Sequence, residues 1–215
     1  MIGQFDPMRK IIRGLKKLRA NSFTLVELLV VISIIGLLAG LAVPAIQGGL
    51  DRAKQGVDVS NARQLGIIFF SEANDNNGIY RVNSDLTNTS PASSFTLLCQ
   101  AMISNGVLST TKILAGNGVP PAVNTNNLGP GNIAWAYVVG LDVGSDGQMP
   151  LLFTKGPTTM SGGTVALQAN YPWKTKGMVV YRVGNFAEFL KPSNYSSTAG
   201  TVNIGVNVSN QIIQP

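Results

Sequence analysis

The chain has 215 residues, room for one ordinary domain plus an appended segment, and only 12% of them are charged against 45% hydrophobic. It contains no histidine and one cysteine, Cys99, which removes the commonest general base, the commonest metal ligand and any internal disulfide. The net charge of +6 gathers at one end: six basic residues face Asp6 alone before Ser22, while the remainder carries ten Lys/Arg against nine Asp/Glu, so nucleic-acid binding by the body of the chain is not expected.

The basic residues Arg9, Lys10, Arg13, Lys16, Lys17 and Arg19 lead into an apolar run, Leu28 to Ile46, of nineteen residues without a charge. As a helix that run spans about 28 Å, close to the hydrocarbon thickness of a bilayer. A basic leader before such a run predicts an N-terminus in the cytoplasm and the rest outside, a single-pass anchor. A secretory signal has a shorter apolar core, of about 7–15 residues, so Val43-Pro44-Ala45 is a weak cleavage site. A lipoprotein signal needs a cysteine just after the run, and none stands there.

A plain anchor leaves Glu27 unexplained. It lies in Ser22-Phe23-Thr24-Leu25-Val26-Glu27-Leu28, at the entrance of the apolar run. A carboxylate entering a bilayer unpaired costs about 3 kcal/mol, so an ionisable group there is read as functional. Further on, Pro44 removes one helix hydrogen bond and can bend the helix. Gly36 and Gly40 form a weak Gly-x-x-x-Gly spacing.

Beyond Pro44 the residues Ile46, Leu50, Ala53, Val57, Ala62, Leu65 and Phe69 recur mostly every three or four positions, with Asp51, Arg52, Lys54, Asp58 and Arg63 between them. The spacing predicts one long helix from Phe23 to about Asn74, its second half laying that apolar face on a head. Asp75-Asn76-Asn77-Gly78 should end it. Ser94 to Asn105 reads as a short second helix stopped by Gly106, and Gly116 to Asn132 as a surface loop. Strand-like runs follow at Ile133–Leu141, Leu151–Thr154, Thr164–Ala169, Gly177–Val183, Ala187–Leu190 and Val202–Val208, with antiparallel meandering the natural arrangement.

Little catalytic chemistry is offered. Cys99, within Phe95-Thr96-Leu97-Leu98-Cys99, reads as a small buried apolar residue. Trp135, Tyr137, Tyr171, Trp173 and Tyr181 read as core and strand residues. Asp142-Val143-Gly144-Ser145-Asp146-Gly147 is the one calcium candidate, through Asp142 and Asp146. Calcium takes six to eight oxygens, so a plain Asp-Gly turn is the preferred reading. No enzyme and no cofactor are expected.

The motif at the entrance resembles the cleavage and methylation signal of type IV prepilins and type II secretion pseudopilins. The resemblance implies cleavage between Ser22 and Phe23 by a prepilin peptidase, with N-methylation of the new Phe23 amine. The family usually has Gly where Ser22 stands. The resemblance also implies that Glu27 pairs with the terminal amine of a neighbouring subunit and sets the axial register, and that the helix bends or locally melts at Pro44 on packing into the fibre. It implies an α+β, pilin-like fold: a leader over 1–22, a membrane and assembly helix over 23–46, its amphipathic continuation over 47–75, and an antiparallel β-rich head over 76–215. The implied partners are the peptidase, other copies or other pilins, and an inner-membrane assembly platform. The implied role is a structural subunit of a type II pseudopilus or a type IV pilus-like filament. A membrane- or filament-anchored surface binding or adhesion module is the alternative. Asn61-Ala62-Arg63-Gln64-Leu65-Gly66 is similar to the same region of prepilin-like proteins from planctomycete and verrucomicrobial bacteria.

Overall fold

The computed structural model describes residues 23–81, 94–158, 160, 162–192, 194–195, 200–208 and 212–215. The expected leader, 1–22, lies outside the described residues. The chain divides into two compact units, Met1–Gly49 and Leu50–Pro215.

Helix α1 runs from Leu25 to Asp75, 51 residues without a break at Pro44. Every residue from Phe23 to Leu50 is exposed. An apolar helix bare on all sides has no protein core to bury it, which is the signature of a segment whose solvent is lipid. At the other end Asn77 and Gly78 take left-handed conformations, φ 56° and 80°. The Gly78 N–H donates back to the Ala73 carbonyl at 2.8 Å, a Schellman stop in which Asn fills the place usually given to Gly. The stop falls at the expected turn cluster.

Helix α2, Phe95–Ser104, is capped by Ser94, whose hydroxyl accepts from the Leu97 N–H at 3.4 Å. It buries Phe95, Leu98, Cys99 and Met102. Gly106, at φ 73°, takes the left-handed conformation that follows. Cys99 sits in the core, and burial pushes its thiol far above the ordinary range, so it is no nucleophile.

Among the described residues eight strands follow: β1 Trp135–Val138, β2 Pro150–Thr154, β3 Thr164–Ala166, β4 Met178–Arg182, β5 Phe186–Leu190, β6 Asn194–Tyr195, β7 Gly200–Asn203 and β8 Ile212–Ile213. All pairings are antiparallel. They do not form one meander. A five-stranded sheet has the order β5-β4-β2-β1-β8, and β3, β7 and β6 form a separate three-stranded sheet. The reason lies in burial. Strands β1, β2 and β4 are buried at every position, whereas β3 alternates exposed and buried and suits a sheet wet on one face. Fully buried β1 also needs a hydrogen-bonding partner on both edges, and β8 supplies the second, Tyr137 pairing with Ile213.

The core gathers where α1, α2 and β1 meet. Phe69, Phe95 and Tyr137 stack with ring centroids 4.9 to 6.0 Å apart. Gly66 allows Tyr181 to lie directly on α1, because a Cβ there would fall inside the Tyr181 ring. Trp135, Trp173 and Tyr181 are buried as expected. The segment from Gly116 to Asn132 is irregular but anchored, with Val119, Ala122 and Leu128 buried beneath it.

The buried face of α1 differs from the expected one. Leu50, Ala53 and Val57 are exposed, and burial begins at Asp58 and continues through Ala62, Leu65, Gly66, Phe69, Glu72 and Ala73. The apolar spacing holds through both halves, but only from residue 58 does the head cover it.

Candidate functional site

The start of α1 is built by two residues. Glu27 Oε2 accepts from the Thr24 N–H at 2.9 Å and from the Thr24 hydroxyl at 2.8 Å, while the Thr24 hydroxyl oxygen accepts from the Glu27 N–H at 3.2 Å. This reciprocal arrangement is a capping box, in which an N-cap threonine and the acid three residues on satisfy each other's orphan donors. The carboxylate also lies at the positive end of the helix dipole. Phe23, immediately before the cap, is 70% exposed. An anion is therefore held one turn from the Phe23 nitrogen, at the mouth of a helix long and apolar enough to cross a membrane.

Residues 17–43 match the family model described as the prokaryotic N-terminal methylation motif. The start of this chain is a prepilin-type signal. No curated protein and no solved structure matches the chain significantly.

Within the signal, Phe23, Thr24 and Glu27 come together at the helix start. Ser22, the expected residue before the cut, lies outside the described residues. Pro44 is 17 positions past Glu27, about 25 Å along the helix, and belongs to no shared site with it. It is accommodated inside a continuous helix, where its missing N–H leaves the Gly40 carbonyl without its usual donor. The prepilin-type signal and the long helix make this a membrane-anchored single-pass chain with an α+β, pilin-like architecture.

The head holds the remaining candidates apart from the signal. Asp142 Oδ1 accepts from the Gly144 N–H at 2.9 Å and the Ser145 hydroxyl at 3.1 Å, and Asp146 Oδ1 accepts from the Gln148 N–H at 2.9 Å. Both carboxylates act as turn acceptors. Among the described residues no three His, Cys, Asp or Glu side chains gather as metal ligands would.

Two buried acids on α1 are absent from the expected site. Asp58, expected among the solvent-facing residues, is buried, and its Oδ2 accepts from the Trp173 indole N–H at 2.8 Å and the Asn117 N–H at 3.0 Å. Desolvation raises its pKa above the usual aspartate value, with the two hydrogen bonds opposing. Glu72 is also buried and pairs with Arg81. The signal for both was their phase: 58, 62, 65, 69 and 72 step by three or four, so the two acids lie on the apolar stripe itself. The capping box was likewise readable as Thr-x-x-Glu before an apolar run.

Proposed function

We propose that this chain is a structural subunit of a pilus-like or pseudopilus-like filament. A prepilin peptidase cuts between Ser22 and Phe23 and methylates the Phe23 amine, and the matured chain polymerises through α1. The basic residues before Ser22 support a leader facing the cytoplasm and a head in the periplasm. The partners are the peptidase, further copies or related pilins, and an inner-membrane assembly platform. The role is assembly and not catalysis.

The observation that carries this reading is the methylation motif over residues 17–43 lying on the capped mouth of an apolar helix. Cleavage before Phe23 creates a cation at a helix N-terminus, where the dipole disfavours it. Glu27 is the one acidic residue in the first turn of α1. Pairing it with a neighbour's amine masks both charges inside an apolar bundle and fixes the axial step between subunits.

Mass spectrometry of the mature N-terminus in the native host tests the processing. A methylated Phe23 supports it, and a chain still beginning at Met1 or starting at Ile46 overturns it. Glu27→Leu tests the register: filaments should be lost while the chain still reaches the membrane. Filaments of normal length and yield from that variant would refute the role given to Glu27.

A further inference from the structure

The head carries two exposed surfaces that complement each other. The first is a groove of about 620 Å³ between α1 and the segment Ala115–Pro121. Its apolar wall includes Leu50 and Val57, which are 50% and 59% exposed, together with Ala53, and Lys54 and Lys112 line it as exposed cations. These wall residues continue the apolar spacing of α1, yet among the described residues none covers them. Of the acids here, Asp51 is already paired with Lys176 at 2.6 Å, and Asp58 is buried and held by Trp173 and Asn117.

The second surface is a knob. The turn after α1 and the loop after β1 are tied together, the Tyr80 N–H donating to the Leu141 carbonyl at 3.1 Å and the Val143 N–H to the Gly78 carbonyl at 2.8 Å. The tie presents Ile79 and Val143, 53% and 39% exposed, beside exposed Asp75, Asp142 and Asp146. Two cations nearby are spent: Arg81 is buried against Glu72, and Arg182 is buried against Glu188 at 2.8 Å. Lys54 and Asp75 are 21 residues apart on one helix, about 32 Å, so the two surfaces are well separated.

We propose that the acidic knob of one copy seats in the basic-walled groove of the next copy. Ile79 and Val143 fill the apolar channel, and Asp75, Asp142 and Asp146 face Lys54 and Lys112. The contact is heterologous, one surface meeting a different one, and contacts of that kind repeat into open helical arrays instead of closing as dimers. Charge enforces direction, because knob on knob opposes carboxylates and groove on groove opposes lysines. The inference rests on the filament reading and adds a second contact, between heads, to the helix contact at Glu27.

Cysteine pairs in the full-length chain, expressed in the native host, test it. Cys99 is the sole native cysteine and is buried, so it does not compete. Val57→Cys combined with Val143→Cys should give a ladder of disulfide-linked multimers in sheared filaments under mild oxidation. Leu97→Cys with Val143→Cys, an exposed α2 position outside the groove, should not. The charge-reversed variant Lys54→Glu/Lys112→Glu should lower filament yield about tenfold or more, and adding Asp142→Lys/Asp146→Lys should restore it. Normal filaments from the Val57→Cys/Val143→Cys chain without a ladder, equal ladders from both cysteine pairs, or adducts to a different protein would each overturn the docking and leave the filament reading intact. Absence of filaments from the wild-type chain in its own host would overturn that reading and the docking with it.

Discussion

The two halves of α1 obey one helical geometry and answer to two different solvents. From Phe23 to Leu50 every side chain is exposed, and the sole ionisable side chain, Glu27, is held by Thr24 at the helix mouth. From Asp58 to Ala73 the helix has one buried face, and that face contains two acids among its apolar residues. Glycine shows the same contrast. Nothing approaches the Cβ positions of Gly36 and Gly40, whereas Gly66 is where an aromatic ring lies on the backbone. A carboxylate or a glycine on this helix therefore has no fixed meaning, which is set by whether lipid or a packed head surrounds it.

Removing one member of a buried charge pair should break the contrast most sharply. In Glu72→Ala the Arg81 guanidinium, 2% exposed, keeps its charge and loses its counter-ion. Head stability should fall by about 3–5 kcal/mol. The pair is only partly hydrogen-bonded among the described residues, Glu72 Oε2, Arg81 Nε and Arg81 Nη1 having no partner. Glu72→Leu/Arg81→Met should therefore recover most of the loss, since a partly satisfied buried pair contributes little net. Denaturant unfolding in detergent, followed by Trp135 and Trp173 fluorescence, reads both variants. A Glu72→Ala head as stable as wild type would mean that the pair is open to solvent. Membrane insertion should be untouched, because no lipid-facing residue changes.

The glycines give the next largest effect. Gly66→Ala forces the Tyr181 ring off α1 and should cost about 1–3 kcal/mol of overpacking strain. Gly36→Ala and Gly40→Ala meet nothing within the subunit and should leave head unfolding unchanged. A filament defect in either of those two, with a normal head, would locate them at a contact between helices. An unfolding loss equal to that of Gly66→Ala would contradict their exposure.

Much of this was legible in the sequence because local rules agree there. The anchor was visible as an uncharged run, the stop of α1 as an Asn-Asn-Gly cluster, α2 as a period bounded by Ser94 and Gly106, and six of the strands as runs between turns. What escaped depends on distant partners. The strand pairs Tyr137–Ile213 and Val165–Val202 join residues far apart in sequence, so no local pattern assigns β8 to one sheet and β3 to another. The short strands β6 and β8, two residues each, carry no period to find. At the site, Phe23 and Glu27 were found through the motif, while Thr24 went unused even though its cap needs only local spacing. Asp58 departs from the rule that a charge marks the wet face of a helix. Its helical phase was the better guide.

Asp58 also provides the smallest and most discriminating effect. Two forces act on it in opposite directions: burial disfavours its charge, and the donors Trp173 and Asn117 favour it. The native pKa is raised, so burial wins. With the native value above the unfolded one, the folded chain binds the proton more tightly, and this residue's contribution falls as pH rises from the ordinary value of 3.8 through the raised native value. Asp58→Asn keeps an oxygen acceptor for both donors and removes the titration. Relative to the variant, wild-type stability should therefore decline as pH rises from 3.8, the ordinary aspartate value, and level off once the buried carboxyl has ionised. Thermal unfolding of both proteins across that range measures the difference. A wild type that instead gains on Asp58→Asn with rising pH would show the two hydrogen bonds outweighing burial, and the floor of the groove would then be a settled anion instead of a strained one.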